Sequence, residues 1–123
     1  MQVIHTPSAP EAIGPYSQAI VHSGLLFTSG QIAINPASGQ VEADTIEGQT
    51  EQVMQNLAAL LEEAGASFDS VIKTTCFLSD MADFAAFNAI YGAYFVSKPA
   101  RSCVAAKQLP KNVLVEVELI AAV

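Results

Sequence analysis

One arginine stands alone in Pro99-Ala100-Arg101-Ser102-Cys103-Val104, where a helical pattern gives way to a strand pattern. It is one of five basic side chains in a chain of net charge −7. Pro99 sets the boundary, because its ring fixes φ and disfavours helix at the residue before it. Alternation in an extended segment puts Arg101 and Cys103 on one face, about 7 Å apart, and Ser102 and Val104 on the other. A guanidinium at a strand end can grip a carboxylate through two parallel hydrogen bonds. The plainer reading is a surface arginine paired with an acid to little effect. Further on, Val113, Val115, Val117 and Leu119 form one face of a strand, and Leu114, Glu116, Glu118 and Ile120 the other. Mid-strand carboxylates are costly to bury unpaired, so that face is either wet or supplied with partners. Glu116 is the candidate acid or base.

Other chemistries fit less well. His5, His22, Cys76 and Cys103 fall in separate elements without ligand spacing, which argues against a metal. Cys103 as a nucleophile needs an activating base, and a buried strand cysteine is the commoner case. Ser29-Gly30 is too short for a phosphate loop. Tyr16 is more often a packing residue than an acid–base group. Asn88 interrupts an otherwise apolar helical stripe, and as a buried amide it is either a structural hydrogen-bonding hub or part of a site; position alone favours the hub. What remains is an anion grip at Arg101 and an acid or base at Glu116, with Asn88, Tyr16 and Ser29 as polar walls. That set suits a small carboxylate ligand.

The elements that must position these residues alternate strand and helix. Gln2–His5 reads as a short strand and 6–15 as a proline-rich loop. Tyr16–His22 and Leu25–Ile32 flank Ser23-Gly24, a tight-turn signal, and form a hairpin. Asn35–Gly39 is a further turn. Asp44-Thr45-Ile46-Glu47 fits a capping box opening a helix, with Asp44 as the cap, stripe residues Val53, Leu57, Leu60, Leu61 and Ala64, and Gly65 as the stop. Val71–Leu78 is β-branched and strand-like. Ser79-Asp80 caps a second helix running to about Lys98, with the stripe Met81, Phe84, Asn88, Tyr91 and Phe95. Arg101–Lys107 and Val113–Ala121 are the fifth and sixth strands, and the short link between them reads as a hairpin. Two strand–helix–strand units in succession imply parallel neighbours with both helices on one side of the sheet.

At 123 residues the chain is a single domain, 1–123. It is 51% hydrophobic and 14% charged, so apolar surface is left over, for which self-association is the default use. The net charge disfavours nucleic acid, although four of the basic residues fall between 98 and 111, which keeps a small anion plausible. Two cysteines without a disulfide framework, no basic-then-apolar leader and no spanning apolar run point to a cytoplasmic protein with no membrane partner.

Taken together, Gly14-Pro15-Tyr16-Ser17-Gln18-Ala19, Ser29-Gly30-Gln31-Ile32, Pro99–Val104, and Leu109-Pro110-Lys111 followed by Val115-Glu116-Val117-Glu118 resemble the RidA (YjgF) family of reactive-intermediate deaminases, in order and across essentially the whole chain. The resemblance implies an α+β fold: a six-stranded mixed sheet with two helices on one face, like the Bacillus-type chorismate mutase. It places the last strand between the third and fourth, against the hairpin read from the short link. It implies a homotrimer with sites between subunits. The implied reaction is cofactor-free hydrolysis of 2-imino or 2-enamino acids, such as those released by serine or threonine dehydratases, to 2-keto acids and ammonia. Arg101 and Glu116 are then catalytic. Arg101 holds the carboxylate, backbone at Gly30 and Cys103 and the side chains of Tyr16, Ser29 and Asn88 line the pocket, and no metal is needed. Relatives described as ribonuclease-type translation inhibitors or chaperone-like holdases supply the alternative.

Overall fold

The computed structural model describes residues 1–123. The chain runs β1 (Gln2–Ile4), β2 (Ala19–His22), β3 (Leu25–Thr28), β4 (Ile34–Asn35), β5 (Gln40–Val41), α1 (Ile46–Glu63), β6 (Val71–Leu78), α2 (Phe84–Tyr94), β7 (Ala100–Ala105) and β8 (Val115–Ala122). Six strands form one sheet in the order β1-β2-β3-β8-β6-β7, and β4 and β5 pair as a small separate hairpin. All neighbours in the large sheet are antiparallel except β6 and β7. The protein is therefore α+β with a mixed six-stranded sheet.

Ser23 and Gly24 both have positive φ (52° and 78°), the backbone of a two-residue turn that matches strand twist, so β2 and β3 form the expected hairpin. The other anticipated hairpin is absent. β8 lies between β3 and β6, as the family resemblance implied, and the link from β7 crosses the end of the sheet through a short 3-10 turn at Pro110–Asn112. Only the α2 crossover joins parallel neighbours; the α1 crossover leads from β3 to β6, with β8 inserted between them. The inserted strand satisfies the ladders of both, and sequence-local pairing rules do not foresee it.

The helix-covered face of β8 is Val115, Val117, Leu119 and Ala121, none more than 2% exposed. Val53, Met54, Leu57 and Leu61 of α1 and Phe87 and Tyr91 of α2 belong to the same core. Each such side chain contributes about 1.5–3 kcal/mol of burial, and truncating Leu57 to Ala would cost about 2–5 kcal/mol. Several boundaries move. Thr45, not Asp44, caps α1: its hydroxyl accepts from the Gly48 N–H at 3.1 Å, while Asp44 is exposed. Gly65, at φ 75°, ends the helix as expected. α2 begins three residues later than its stripe suggests, because Met81–Asp83 form a 3-10 turn capped by Asp80. It stops at Tyr94, and Lys98 takes a left-handed φ of 56° before Pro99. No helix is long and apolar enough to cross a membrane.

Candidate functional site

The residues singled out from sequence fall into two groups on opposite sides of the sheet. Arg101 pairs in register with Thr74, and Cys103 with Cys76. Thr74 and Cys76 are fully buried beneath the helices, so alternation places Arg101 and Cys103 on the helix side. Glu116 pairs with Phe77 on the uncovered side, among the residues that alternate with the core.

The first group is built by α2. Phe84, Asn88 and Tyr91 follow i, i+4, i+7 and so share one helical face. That face meets Arg101: Nη1 donates to Asn88 Oδ1 at 2.7 Å, and the guanidinium carbon lies 4.8 Å from the Tyr91 ring centre and 5.4 Å from that of Phe84. Asn88 is thus a hydrogen-bonding partner of Arg101. The chain's one ion pair is His5 with Glu11, at 3.1 Å on the surface. Arg101 therefore has no acid of its own and keeps donors free. Burial raises the Cys103 thiol, and Arg101 only partly opposes this; burial pushes Cys76 up to about 12.

The second group is built by a bulge. Phe27 faces Ile120, and the next bridge joins Gln31 to Val117. Four steps on one strand match three on the other, so one extra residue is inserted at Thr28-Ser29-Gly30. The Leu119 N–H at the irregularity is taken by the Thr28 hydroxyl at 3.0 Å, and Gln31 exchanges backbone hydrogen bonds with Val117 at 2.8 and 3.1 Å. The bulge brings Gly30 against Glu116: a β-carbon on residue 30 would overlap Glu116 Oε2 and lie 2.8 Å from its carboxyl carbon. Ser29 Oγ donates to the Ser17 carbonyl at 2.6 Å, fixing the segment that carries Tyr16, which is 55% exposed. These residues line an open cleft of about 650 Å³ together with Ile13 and Ile32. Burial raises Glu116 above the usual carboxylate range, and Glu118 adds to the effect.

Two supporting residues carry no role in the sequence reading. Gln18, 3% exposed, accepts from the Thr6 N–H at 2.8 Å and donates to the carbonyls of Thr6, Ala9 and Pro10 at 3.0, 3.3 and 2.8 Å, which pins the loop leading to Tyr16. Asn56 on α1 donates to the Ile32 and Ile34 carbonyls at 3.0 and 2.9 Å, holding the chain just after the bulge. Both are polar residues in apolar surroundings, the signal that did single out Asn88.

The sequence and the fold match one known class. The family model described as Endoribonuclease L-PSP matches residues 6–123, and the chain belongs to that family, which includes the RidA (YjgF) proteins. A Lactococcus lactis protein named as the regulator AldR is 56% identical over all of this chain and 98% of its own length. The Escherichia coli 2-iminobutanoate/2-iminopropanoate deaminase is 44% identical over 98% of this chain and 96% of its own. A solved Thermotoga maritima structure, described as that of an endoribonuclease, superposes with a TM-score of 0.97 at 47% identity, covering 100% of this chain and 98% of the other.

Proposed function

We propose that the protein is a deaminase that hydrolyses 2-imino acids, and the enamines that tautomerise to them, to 2-keto acids and ammonia. The observation that carries this reading is Arg101: a half-buried cation held by an amide and two ring faces, with no carboxylate of its own. Such a group favours an anionic ligand, and its flat fork suits a carboxylate. An E. coli relative bears the name of this activity.

Arg101 binds the substrate carboxylate, leaving the adjacent imine carbon to react. Water adds to that carbon, the C=N π electrons move to nitrogen, and the Glu116 carboxylate takes a proton from the water and returns it to the nitrogen. Glu116 then carries the carbinol proton to the nitrogen, the oxygen's electrons form the C=O bond as the C–N bond breaks, and keto acid and ammonia leave. The raised affinity of Glu116 for protons suits both halves of that transfer. Tyr16, Ser29 and Gly30 form the wall beside Glu116, and Asn88 and Cys103 the wall beside Arg101.

Arg101 and Glu116 must touch neighbouring atoms of one small molecule. Within a chain they are separated by the thickness of the sheet and by β6, roughly 10 Å across the strands. The reading therefore requires two copies, one supplying Arg101 and the next Glu116. The uncovered sheet face, with Phe27 and Val104 exposed, offers the surface for such a contact. A closed ring of three, near 39 kDa as three times 12.9 kDa, is the proposed assembly. A ribonuclease role sits poorly with a net charge of −7, which triples in the ring with acids still outnumbering basic residues 12 to 5 per chain. The test is to generate an imino acid with an amino-acid oxidase and follow its loss by chemical trapping. Accelerated loss with keto acid and ammonia in equal amounts is expected; loss at the uncatalysed rate would overturn the proposal.

A further inference from the structure

Arg101 is half-buried on the helix side, where a cation normally takes an acid as its partner. Here the partners are neutral: the Asn88 amide oxygen and the faces of Phe84 and Tyr91. A ring quadrupole and an amide dipole offset lost hydration without cancelling the charge. We propose that Phe84 and Tyr91 are positioning residues, which hold the guanidinium in place while leaving its full charge for an incoming carboxylate. This deepens the proposed function and rests on Arg101 being the carboxylate grip.

The rings are themselves fixed. Tyr91 is 7% exposed, and its hydroxyl meets Thr74 Oγ1 at 2.7 Å; Thr74 is the residue opposite Arg101 in the parallel pair. Phe95 stacks on Tyr91 with centres 4.3 Å apart, and Phe87 lies at 5.5 Å. The strand that carries the arginine is thus referenced to the helix that cradles it through β6. The hydroxyl pair and the ring face do different jobs: one secures the fold, the other faces the cation.

The two jobs separate experimentally. Binding of 2-oxobutyrate is measured by titration calorimetry on the assembled protein, alongside thermal melting, for wild type, Arg101→Ala, Tyr91→Phe, Tyr91→Leu and Phe84→Leu. Tyr91→Phe keeps a ring, so it is expected to melt lower, with Thr74 Oγ1 left only the weak Cys76 thiol contact at 3.9 Å, yet bind within about twofold of wild type. Phe84→Leu and Tyr91→Leu are each expected to weaken binding about threefold to tenfold. In turnover they raise KM and leave kcat nearly unchanged. Phe84 is half-buried, so its variant decides the matter if Tyr91→Leu fails to fold. Wild-type affinity in the folded leucine variants, with Arg101→Ala losing binding, would overturn the positioning role alone. Wild-type affinity in Arg101→Ala, or no binding by wild type, would instead remove the carboxylate grip, and this inference with it.

Discussion

The Glu116 carboxylate fills the space into which a β-carbon at residue 30 would project. Glycine leaves that space to the flexible end of the Glu116 side chain, so the bulge that carries Gly30 and the strand that carries Glu116 meet at one point. Gly30→Ala should force the carboxylate aside and reduce imine hydrolysis by about a hundredfold, the scale of a lost, well-oriented proton-transfer group. Melting temperature should change little, because Gly30 is exposed. Trapping assays on Gly30→Ala beside Glu116→Gln check this; wild-type turnover in Gly30→Ala would break the link between the bulge and the reaction.

Arg101→Ala should nearly abolish hydrolysis without unfolding the protein, since the arginine makes no ion pair that its loss would leave unpaired. Arg101→Lys should also be poor, because an ammonium reproduces the charge and not the planar fork. Turnover of both variants against wild type is the measurement, with circular dichroism as the control for folding.

Glu116 titrates above the usual carboxylate range because it is partly buried and near Glu118. Its folded-state affinity for protons exceeds that of the unfolded chain, so the penalty of ionising it in the fold is absent below the unfolded value, near pH 4.3. The penalty grows as pH rises through the folded value and is complete above it. Glu116→Gln should therefore melt higher than wild type at pH 7, and the difference should vanish at pH 4 and below. The same shift should place the acidic limb of the activity profile above the range of an ordinary glutamate, since the carboxylate is the active form. Melting and turnover across pH 4–8 test both.

Cys103 lies beside Arg101, yet burial holds its thiol above the ordinary value, so little thiolate is present at neutral pH. Addition of water to an imine needs no covalent intermediate. Cys103→Ser and Cys103→Ala should keep at least about a third of wild-type turnover, an effect below 1 kcal/mol. Loss as deep as in Arg101→Ala, with folding intact, would point to covalent catalysis.

The six strands of the large sheet, the two helices and the covered face of β8 were legible from periodicity, because burial imposes a period of two on a strand and 3.6 on a helix, whereas the two-residue strands β4 and β5 are too short to show a period and were read only as the turn between them. Helix ends were less so: Thr45 and Asp44 are both good caps, and only the backbone geometry chooses. The position of β8 was not readable from local pairing, since a long-range neighbour leaves no mark on its own sequence; family resemblance supplied it. For the site, Arg101 and Glu116 stood out as charges in apolar strands. Phe84 and Tyr91 did not, because a ring that faces a cation looks like any other residue of an apolar stripe. Asn88 was the one visible sign of that cradle, and the bulge at Thr28-Ser29-Gly30 left only its glycine as a mark.

The central claim is that one copy supplies Arg101 and its neighbour Glu116. Arg101→Ala and Glu116→Gln chains, each inactive alone, can be refolded together in equal amounts and assayed for imine hydrolysis, with light scattering to confirm the ring. With a shared site, a random ring pairs an intact Arg101 with an intact neighbouring Glu116 at about one site in four, so activity should return to about a quarter of wild type. No recovery in a mixed ring of the same mass would contradict the shared site.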